Sequence, residues 1–146
     1  MLDGLFVTPA VTAIGEALAG ARADGTLAVI GNAKLATALT EAKRDVVPIA
    51  MSARAAKKLT NALADLSSIE DRSLAAVVGV DVASDDGWEI TLREWTRVVR
   101  DGGAIVFVDR GHAPEASRRA LCAGLCEIEQ RHAGRVVVTS GLVTHL

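Results

Sequence analysis

Few residues in this chain of 146 carry side chains that could do chemistry. Asp81, Asp85 and Asp86 follow an apolar run and would form an acidic rim, able to act as a general base or to hold a cation. An Asp-Asp-Gly sequence is equally typical of a turn followed by acids in the first turn of a helix. His112 follows a second apolar run, but no cysteine or other base stands near it in sequence. The residue pattern therefore leaves the catalytic residues unknown.

The sequence has two cysteines, Cys122 and Cys126, four residues apart. Two cysteines do not make a disulfide framework, and no further ligand stands at a spacing that suits zinc. We therefore expect no metal site, and we expect both cysteines to be buried as small hydrophobic side chains.

The elements that must position these groups are clearest in residues 94–110, which read EWTRVVRDGGAIVFVDR. Trp95 begins an i, i+3, i+4 pattern of apolar residues, which predicts one face of a helix. Asp101-Gly102-Gly103 predicts the end of that helix, because glycine adopts the left-handed cap without a Cβ penalty. The unbroken apolar run Ala104–Val108 then predicts a strand buried on both faces of a parallel sheet.

This stretch, written EWxRVhRxGGxhhhVDR with h for an apolar residue, resembles the helix–turn–fifth-strand segment of class I S-adenosylmethionine (SAM)-dependent methyltransferases. The resemblance runs from about Gly25 to the C-terminus. It implies an α/β fold, a three-layer Rossmann-like sheet of order 2-1-4-5-7-6 with an antiparallel last strand. The third strand is expected to be absent or vestigial, because little chain is left for it before the fourth. We therefore predict a single domain over 1–146, with a cover helix in 1–24 and a reduced α/β core in 25–146.

The remaining elements follow from apolar runs and from residues that favour helix ends. Thr8 and Pro9 predict the start of the cover helix, with threonine as N-cap and proline at the first helical position. Pro48 removes a ladder donor and indicates an edge strand, and Ser52 predicts the N-cap of the helix after it. The predicted strands are Thr26–Ile30, Asp45–Met51 and Leu74–Val82, and the helices between them are Leu35–Ala42 and Ala53–Leu63.

The C-terminal part has two interpretations. Helical periodicity could continue from the helix Pro114–Gly124 through Ile128 to the next glycine. We favour a break after the helix, a strand at Cys126–Gln130, a turn, and a strand at Arg135–Thr139. The methyltransferase resemblance favours the same hairpin, because "A-G-L-x-x-I-E-x…G-R-x-V-V-T-S-G" is similar to the sixth and seventh strands of the family.

A strand, a glycine turn and a helix form the place where parallel α/β folds bind nucleosides. The family carries an acidic residue and a Gly-x-Gly-x-Gly loop there. This chain reads Gly31, Ala33 and Leu35, with an apolar residue at the acidic position, and β carbons at 33 and 35 should intrude on the cofactor's space. The family also ends its second strand on an acid that accepts hydrogen bonds from the ribose, where this chain has Ala50 or Met51. The cofactor motifs are therefore degenerate.

Two aspartates complete the implied site. Asp65 matches an aspartate that contacts the adenine amino group in the family, or else it is a local cap of its own loop. Asp81 ends the fourth strand, where open α/β sheets bind ligands. The residues to which the resemblance assigns weak or vestigial cofactor-binding roles are Gly31, Asn32, Ala33, Met51, Asp65 and Asp81.

Composition limits the possible partners. Acidic and basic residues are interspersed along the chain and the net charge is −2, which predicts neither a nucleic-acid partner nor an anionic membrane. No apolar run approaches the roughly 20 residues of a membrane span. Met1-Leu2-Asp3 lacks the basic region of a signal peptide, which predicts a cytoplasmic location. A sheet that lacks an edge strand leaves apolar surface to cover, so we expect self-association or a protein partner, through the second strand or the Trp88 face.

Three functions are compatible with the sequence. The first choice is a non-catalytic binding or assembly module that binds SAM weakly or not at all. The alternative is an active methyltransferase for a small molecule, which holds SAM through backbone contacts at Gly31, Asn32 and Met51. The third is a binder of another nucleotide or metabolite. A crevice filled by Lys34, Leu35 and Met51 would favour the first function, and an open crevice would favour the other two.

Overall fold

The computed structural model describes residues 4–21 and 23–145. Within these residues the chain forms one sheet of six strands. The strands are β1 (Leu27–Ile30), β2 (Val46–Ile49), β3 (Leu74–Val80), β4 (Val99–Asp109), β5 (Cys126–Ala133) and β6 (Val136–Leu142). The helices are α1 (Gly4–Gly20), α2 (Ala33–Glu41), α3 (Ala53–Ala56), α4 (Trp88–Val98) and α5 (Ala113–Cys122), with a short 3-10 helix, η1 (Val82–Ser84), after β3. The prediction drawn from Met1-Leu2-Asp3 falls outside the described residues.

The order of the strands across the sheet is β2-β1-β3-β4-β6-β5. β1 runs parallel to β2 and β3, and β3 runs parallel to β4. β6 is antiparallel to both β4 and β5. Since β3 to β6 correspond to the fourth to seventh strands of the methyltransferase pattern, the predicted order 2-1-4-5-7-6 with an antiparallel last strand is confirmed. The β5–β6 hairpin also confirms the favoured interpretation of the C-terminal part.

One residue, Leu63, occupies the place of the third strand. It forms a parallel bridge with Ile49 on the outer edge of β2. Its N–H donates to the carbonyl of Pro48, and its own carbonyl accepts from the N–H of Ala50, both at 2.9 Å. In the described part of the chain the third strand is thus vestigial. The helix predicted for Ala53–Leu63 is wrong in its second half, because the chain must become extended to pair with β2.

Helices cover both faces of the sheet and make three layers. On one face α1 and α2 bury side chains such as Ile14 and Leu35 against β1, β3 and β4. On the other face α4 and α5 bury Leu92 and Trp95 against the same central strands. The central strands are therefore apolar on both faces, as predicted. None of the described helices is long and apolar enough to cross a membrane.

Gly79 in β3 allows α4 to approach the sheet closely. A β carbon at this position would lie 2.1 Å from Cη2 of Trp95. The Trp95 side chain is buried, and its ring meets Phe107 edge to face with the ring centroids 6.3 Å apart. The indole is therefore confined on both sides, and only glycine fits beneath it.

The predicted double-glycine turn lies inside β4 rather than before it. Val99 pairs with Leu74 and Ala104 pairs with Ala76. An advance of five residues along β4 therefore corresponds to an advance of only two residues along β3. A β carbon on Gly103 would lie 2.5 Å from a backbone carbonyl oxygen of β3. The turn is therefore a large bulge, and pairing with β3 begins before it because Val99 is already extended.

Two local predictions are wrong. α1 begins at Gly4, so Pro9 lies in its second turn, where the missing N–H removes one intrahelical hydrogen bond. Cys122 and Cys126 are exposed rather than buried. Cys122 follows the inward-facing Ala120 by two residues and turns outwards, and Cys126 begins the edge strand β5.

A buried carboxylate connects β4 to the loop after β3. Asp109 is 2% exposed, and its Oδ1 accepts a hydrogen bond from the N–H of Ala83 at 2.8 Å. Its Oδ2 is buried and meets no hydrogen-bond donor among the described residues. Burial raises the pKa of Asp109, and the carboxylate of Asp81 adds to the rise, whereas the Ala83 N–H, His112 and Arg119 oppose it.

We predict that Gly79→Ala lowers the free energy of unfolding by about 1–3 kcal/mol, the usual cost of overpacking a core. The added methyl group must displace Trp95, which Phe107 holds from the other side. Urea unfolding followed by tryptophan fluorescence measures the loss. Gly87→Ala is the control, because a β carbon there would meet nothing closer than 3.8 Å. Equal stability of the Gly79→Ala and wild-type proteins would contradict the packing.

The raised pKa of Asp109 means that the folded chain binds this proton more tightly than the unfolded chain. The contribution of Asp109 to the free energy of unfolding should therefore grow as the pH falls through its folded-state pKa towards the ordinary pKa of 3.8. Asp109→Asn retains an acceptor for the Ala83 N–H but cannot ionise. We expect the free energy of unfolding of the wild type to rise relative to that of Asp109→Asn as the pH is lowered, measured by urea unfolding at several pH values. Parallel pH profiles would contradict this prediction.

Candidate functional site

The carboxyl ends of β1, β2, β3 and β4 meet at one edge of the sheet, because these strands are parallel. The residue after each of the first three strands has a positive φ: 76° at Gly31, 57° at Ala50 and 58° at Asp81. The turn after β4 contains His112 at 59°. Left-handed φ values are costly for residues with a β carbon and often persist at functional sites. We call this region the carboxyl edge, and its four turns make it the candidate site.

Gly31 forms the turn between β1 and α2 at the carboxyl edge. Its N–H donates to the carbonyl of Ile49 at 2.9 Å, which fixes the turn against β2. A β carbon built on Gly31 would meet no heavy atom within 4 Å, its two chain neighbours apart. A ligand can therefore approach the backbone at the end of β1.

The side chains after Gly31 do not fill this space. Asn32 is 5% exposed, and its Oδ1 accepts from the N–H of Leu35 at 2.9 Å as the N-cap of α2. Leu35 is buried in the core beneath α1 and α2, so its predicted intrusion on the cofactor's space is wrong. Lys34 is exposed and Met51 is half-buried. Leu35 and Met51 thus pack towards the core and Lys34 is exposed, which favours the two ligand-binding alternatives over a filled, inactive site.

The end of β2 carries no acidic side chain. Ala50 is exposed, and Met51 packs against the core cluster beneath α1 and α2. Ala33 begins α2 and lines a cavity between that helix and residues 55–59 rather than the space at Gly31. A nucleoside bound at this edge would meet backbone groups at its ribose, without the carboxylate that the family resemblance implies.

Asp65 follows Leu63, the residue that extends the carboxyl edge beyond β2. Its Oδ1 accepts hydrogen bonds from the N–H and the hydroxyl of Ser67, and these bonds lower the pKa of Asp65. The side chain therefore caps its own loop. Both bonds use the same oxygen, which leaves Oδ2 available to a ligand.

Arg97, on α4, forms hydrogen bonds that hold the loop carrying Asp65 against this helix. Its guanidinium donates to the carbonyl oxygens of Leu66 and Ile69, each at 2.9 Å. Glu94 holds the guanidinium from the helix side, and this contact lowers the pKa of Glu94. No sequence pattern signals this role, because the loop partners lie 28 and 31 residues from Arg97.

The other half of the carboxyl edge carries Asp81 and His112, at the ends of the adjacent strands β3 and β4. Asp85 does not face the same space, because its carboxylate accepts hydrogen bonds within its own turn and from α4. Arg119 donates to the Asp85 carbonyl at 2.8 Å and fixes this turn against α5. The predicted acidic rim thus loses Asp85, whereas Asp81 lies near the buried Asp109 and Asp86 is exposed. Within residues 4–21 and 23–145, no three His, Cys, Asp or Glu side chains converge in a way that could hold a metal.

No protein-family model and no curated protein matches this chain. Among solved structures, a SAM-dependent methyltransferase from Thermotoga maritima, described as a possible histamine N-methyltransferase, superposes with a TM-score of 0.71 at 15% identity, over 96% of this chain and 92% of the other. A chain from the complex between the Haloferax volcanii Trm112 methyltransferase activator and a putative methyltransferase gives 0.66 at 13% identity, over 94% of both chains.

A third match is much longer than this chain. The 16S rRNA N2 G1207 methyltransferase of T. thermophilus, in complex with AdoMet and guanosine, gives a TM-score of 0.61 at 16% identity. The match covers 83% of this chain but only 36% of that enzyme. At such identities the likeness concerns the backbone, and it agrees with the strand order. The chain has the fold of the class I SAM-dependent methyltransferases.

Proposed function

We propose that the crevice at Gly31 binds SAM and that the domain is a SAM-dependent methyltransferase acting on a small molecule. The observation that carries this proposal is the open space above Gly31, where a β carbon would meet no heavy atom within 4 Å beyond its chain neighbours. Methyltransferases of the same fold leave the space at this turn to the cofactor, and at Gly31 the protein leaves it free.

The chain's own groups can hold the nucleoside in two places. The turns after β1 and β2 can offer backbone groups at Gly31 and Met51 to the cofactor, and Oδ2 of Asp65 is available to the adenine amino group. A missing ribose carboxylate removes a charged hydrogen-bond partner, which is worth about 1.5–3 kcal/mol. Binding should therefore be about 10- to 100-fold weaker than in a site that retains this carboxylate.

Methyl transfer requires little more of the protein than position. When bound, SAM supplies an electrophilic methyl group on a sulfonium, which is reactive without acid assistance. The chain must hold an acceptor in line with that methyl group and keep it there. Asp81 and His112, at the ends of β3 and β4, stand on the half of the carboxyl edge opposite Asp65, where they can hold an acceptor and accept its proton.

A second candidate is a binding or assembly module without catalysis. The absence of an acceptor side chain at Ala50 and Met51 favours it, because this position is the family's main contact with the ribose. One structural neighbour comes from a complex with a methyltransferase activator, which makes a protein partner a reasonable expectation.

Self-association stays a prediction, and the two expected surfaces differ. Leu63 already covers part of the β2 edge. The half-buried ring of Trp88 is partly covered by Arg118 and Arg119, whose guanidinium carbons lie 5.6 and 5.2 Å from its centroid. Sedimentation at high micromolar concentration distinguishes a monomer from an oligomer.

We predict saturable binding of SAM and of S-adenosylhomocysteine by calorimetric titration of the folded protein. Asp65→Ala should weaken binding about 3- to 10-fold, the usual worth of one hydrogen bond. Asp86→Ala is the matched control, because it removes an exposed aspartate and the same charge from the turn before α4. Equal effects of the two substitutions would remove Asp65 from the site.

The same titration separates the two candidate functions. Binding of both compounds supports the methyltransferase proposal, and a search for the methyl acceptor follows. A folded protein that produces no heat with either compound overturns this proposal and supports the module without catalysis.

A further inference from the structure

A small cavity lies between the C-terminal end of α1 and the sheet. Its volume is about 90 Å³, which is room for several water molecules or for a small organic ion. Ala17 and Gly20 of α1 form one wall, and Ala104 and Leu142, which pair across β4 and β6, form another. Ala104 stands at the amino end of the regular part of β4, so the cavity lies at the end of the sheet opposite to the carboxyl edge. We call this feature the α1 cavity.

Ser140 in β6 places a buried hydroxyl group in the α1 cavity. Val136 and Val138 belong to the core beneath α1 and α2, and Ser140 follows them with the period of two of a strand, so its side chain lines the cavity on the same face. Ser140 is 8% exposed, and its hydroxyl meets no hydrogen-bond partner in residues 4–21 and 23–145. The next buried hydroxyl, that of Thr139 on the opposite face, accepts a hydrogen bond from Gln130 at 3.0 Å. A buried hydroxyl without a protein partner indicates that a ligand or solvent supplies one.

Two carboxylates line the α1 cavity beside this hydroxyl. Glu129 is the partner of Ser140 across the β5–β6 ladder, and Glu127 lies two residues before it, inside the bulge of β5. Nη2 of Arg131 donates to Oε2 of Glu129 at 2.8 Å and neutralises one of the two charges. Glu127 forms no ion pair with the described residues, and the carbonyl end of α1 adds partial negative charge. The cavity therefore keeps about one negative charge, which favours a monovalent cation.

The lining of the α1 cavity suits an organic ammonium ion better than a metal ion. An alkylammonium group has three N–H donors, and the two carboxylates and the hydroxyl of Ser140 offer oxygen acceptors for them. The alanine methyl groups of Ala17 and Ala104 provide an apolar surface for an alkyl chain, which a hydrated metal ion would not use. Ca²⁺ and Mg²⁺ require about six or more oxygen ligands, and no three acidic, His or Cys side chains converge here among the described residues.

We propose that the α1 cavity binds a small primary aliphatic amine as its ammonium ion, held by Glu127, Glu129 and the hydroxyl of Ser140. The ammonium group donates hydrogen bonds to these oxygens and supplies the partner that the buried hydroxyl needs. Because the cavity joins the last turn of α1 to β5 and β6, a bound amine also stabilises the folded chain. The cavity lies at the opposite end of the sheet from Gly31, so this proposal does not depend on whether SAM binds there.

The test is a titration of the full chain with n-butylamine at constant pH and ionic strength, followed by the amide chemical shifts in nuclear magnetic resonance. We expect the signals of Glu127, Glu129 and Ser140 to shift together and to saturate at about millimolar amine, since a ligand of few atoms makes few contacts. Two compounds separate charge from shape. The alcohol n-butanol has the same chain without the charge, and tetramethylammonium has the charge without N–H donors. Each should bind at least about tenfold more weakly than n-butylamine, because neither forms charge-assisted hydrogen bonds.

Matched variants locate the site. Ser140→Ala removes the hydroxyl and should weaken the binding of n-butylamine about 3- to 10-fold, and Glu127→Gln removes one carboxylate and should weaken it about tenfold. Glu70→Gln removes the same charge from an exposed position in the loop that Arg97 holds, and should leave the affinity within about twofold. Equal weakening by Glu127→Gln and Glu70→Gln overturns the proposal. The absence of saturable shifts with n-butylamine, or equally tight binding of n-butanol, overturns it as well.

Discussion

The burial of β3 and β4 on both faces is the constraint on which the rest of the structure depends. A strand that is apolar on both sides needs a helix layer above and below it, and here α1 and α2 cover one face while α4 and α5 cover the other. The close contact of Trp95 with Gly79 shows how little room the second layer leaves. With both faces covered, polar groups of the parallel strands reach solvent only at the strand ends. The turns at the carboxyl edge are therefore where a ligand can meet the backbone.

The sequence predicted those parts of the fold that depend on local patterns. Apolar runs identified the central strands, and the methyltransferase resemblance supplied their order, which the structure confirms. Glycines at 102 and 103 predicted a turn, but glycine alone does not indicate whether a strand pairs on both sides of it. The end of α3 was missed because Leu63 is extended by its bridge to Ile49 in β2, and no helix propensity encodes that contact.

The parts of the candidate site that depend on contacts distant in sequence were likewise not predicted. The position of Gly31 at the end of β1 was predictable, because a glycine that follows a buried strand marks a sharp turn. The roles of Arg97 and Asp109 were not, since each acts on backbone groups more than 25 residues away. Arg97 also connects α4 to the loop that carries Asp65. It extends from the helix layer beneath the central strands to the loop that carries Asp65, so the packing of α4 helps to set the position of a candidate cofactor contact.

The bridge at Leu63 determines how the sheet could gain a strand beside β2. Its two hydrogen bonds already fix the register in which a longer strand would pair with β2, so an insertion on either side of it need only extend an existing contact. Lengthening a surface connection is inexpensive, since doubling a loop costs only about 0.6 kcal/mol of closure entropy. A single bridged residue thus fixes the register that a full third strand of the methyltransferase pattern would adopt beside β2.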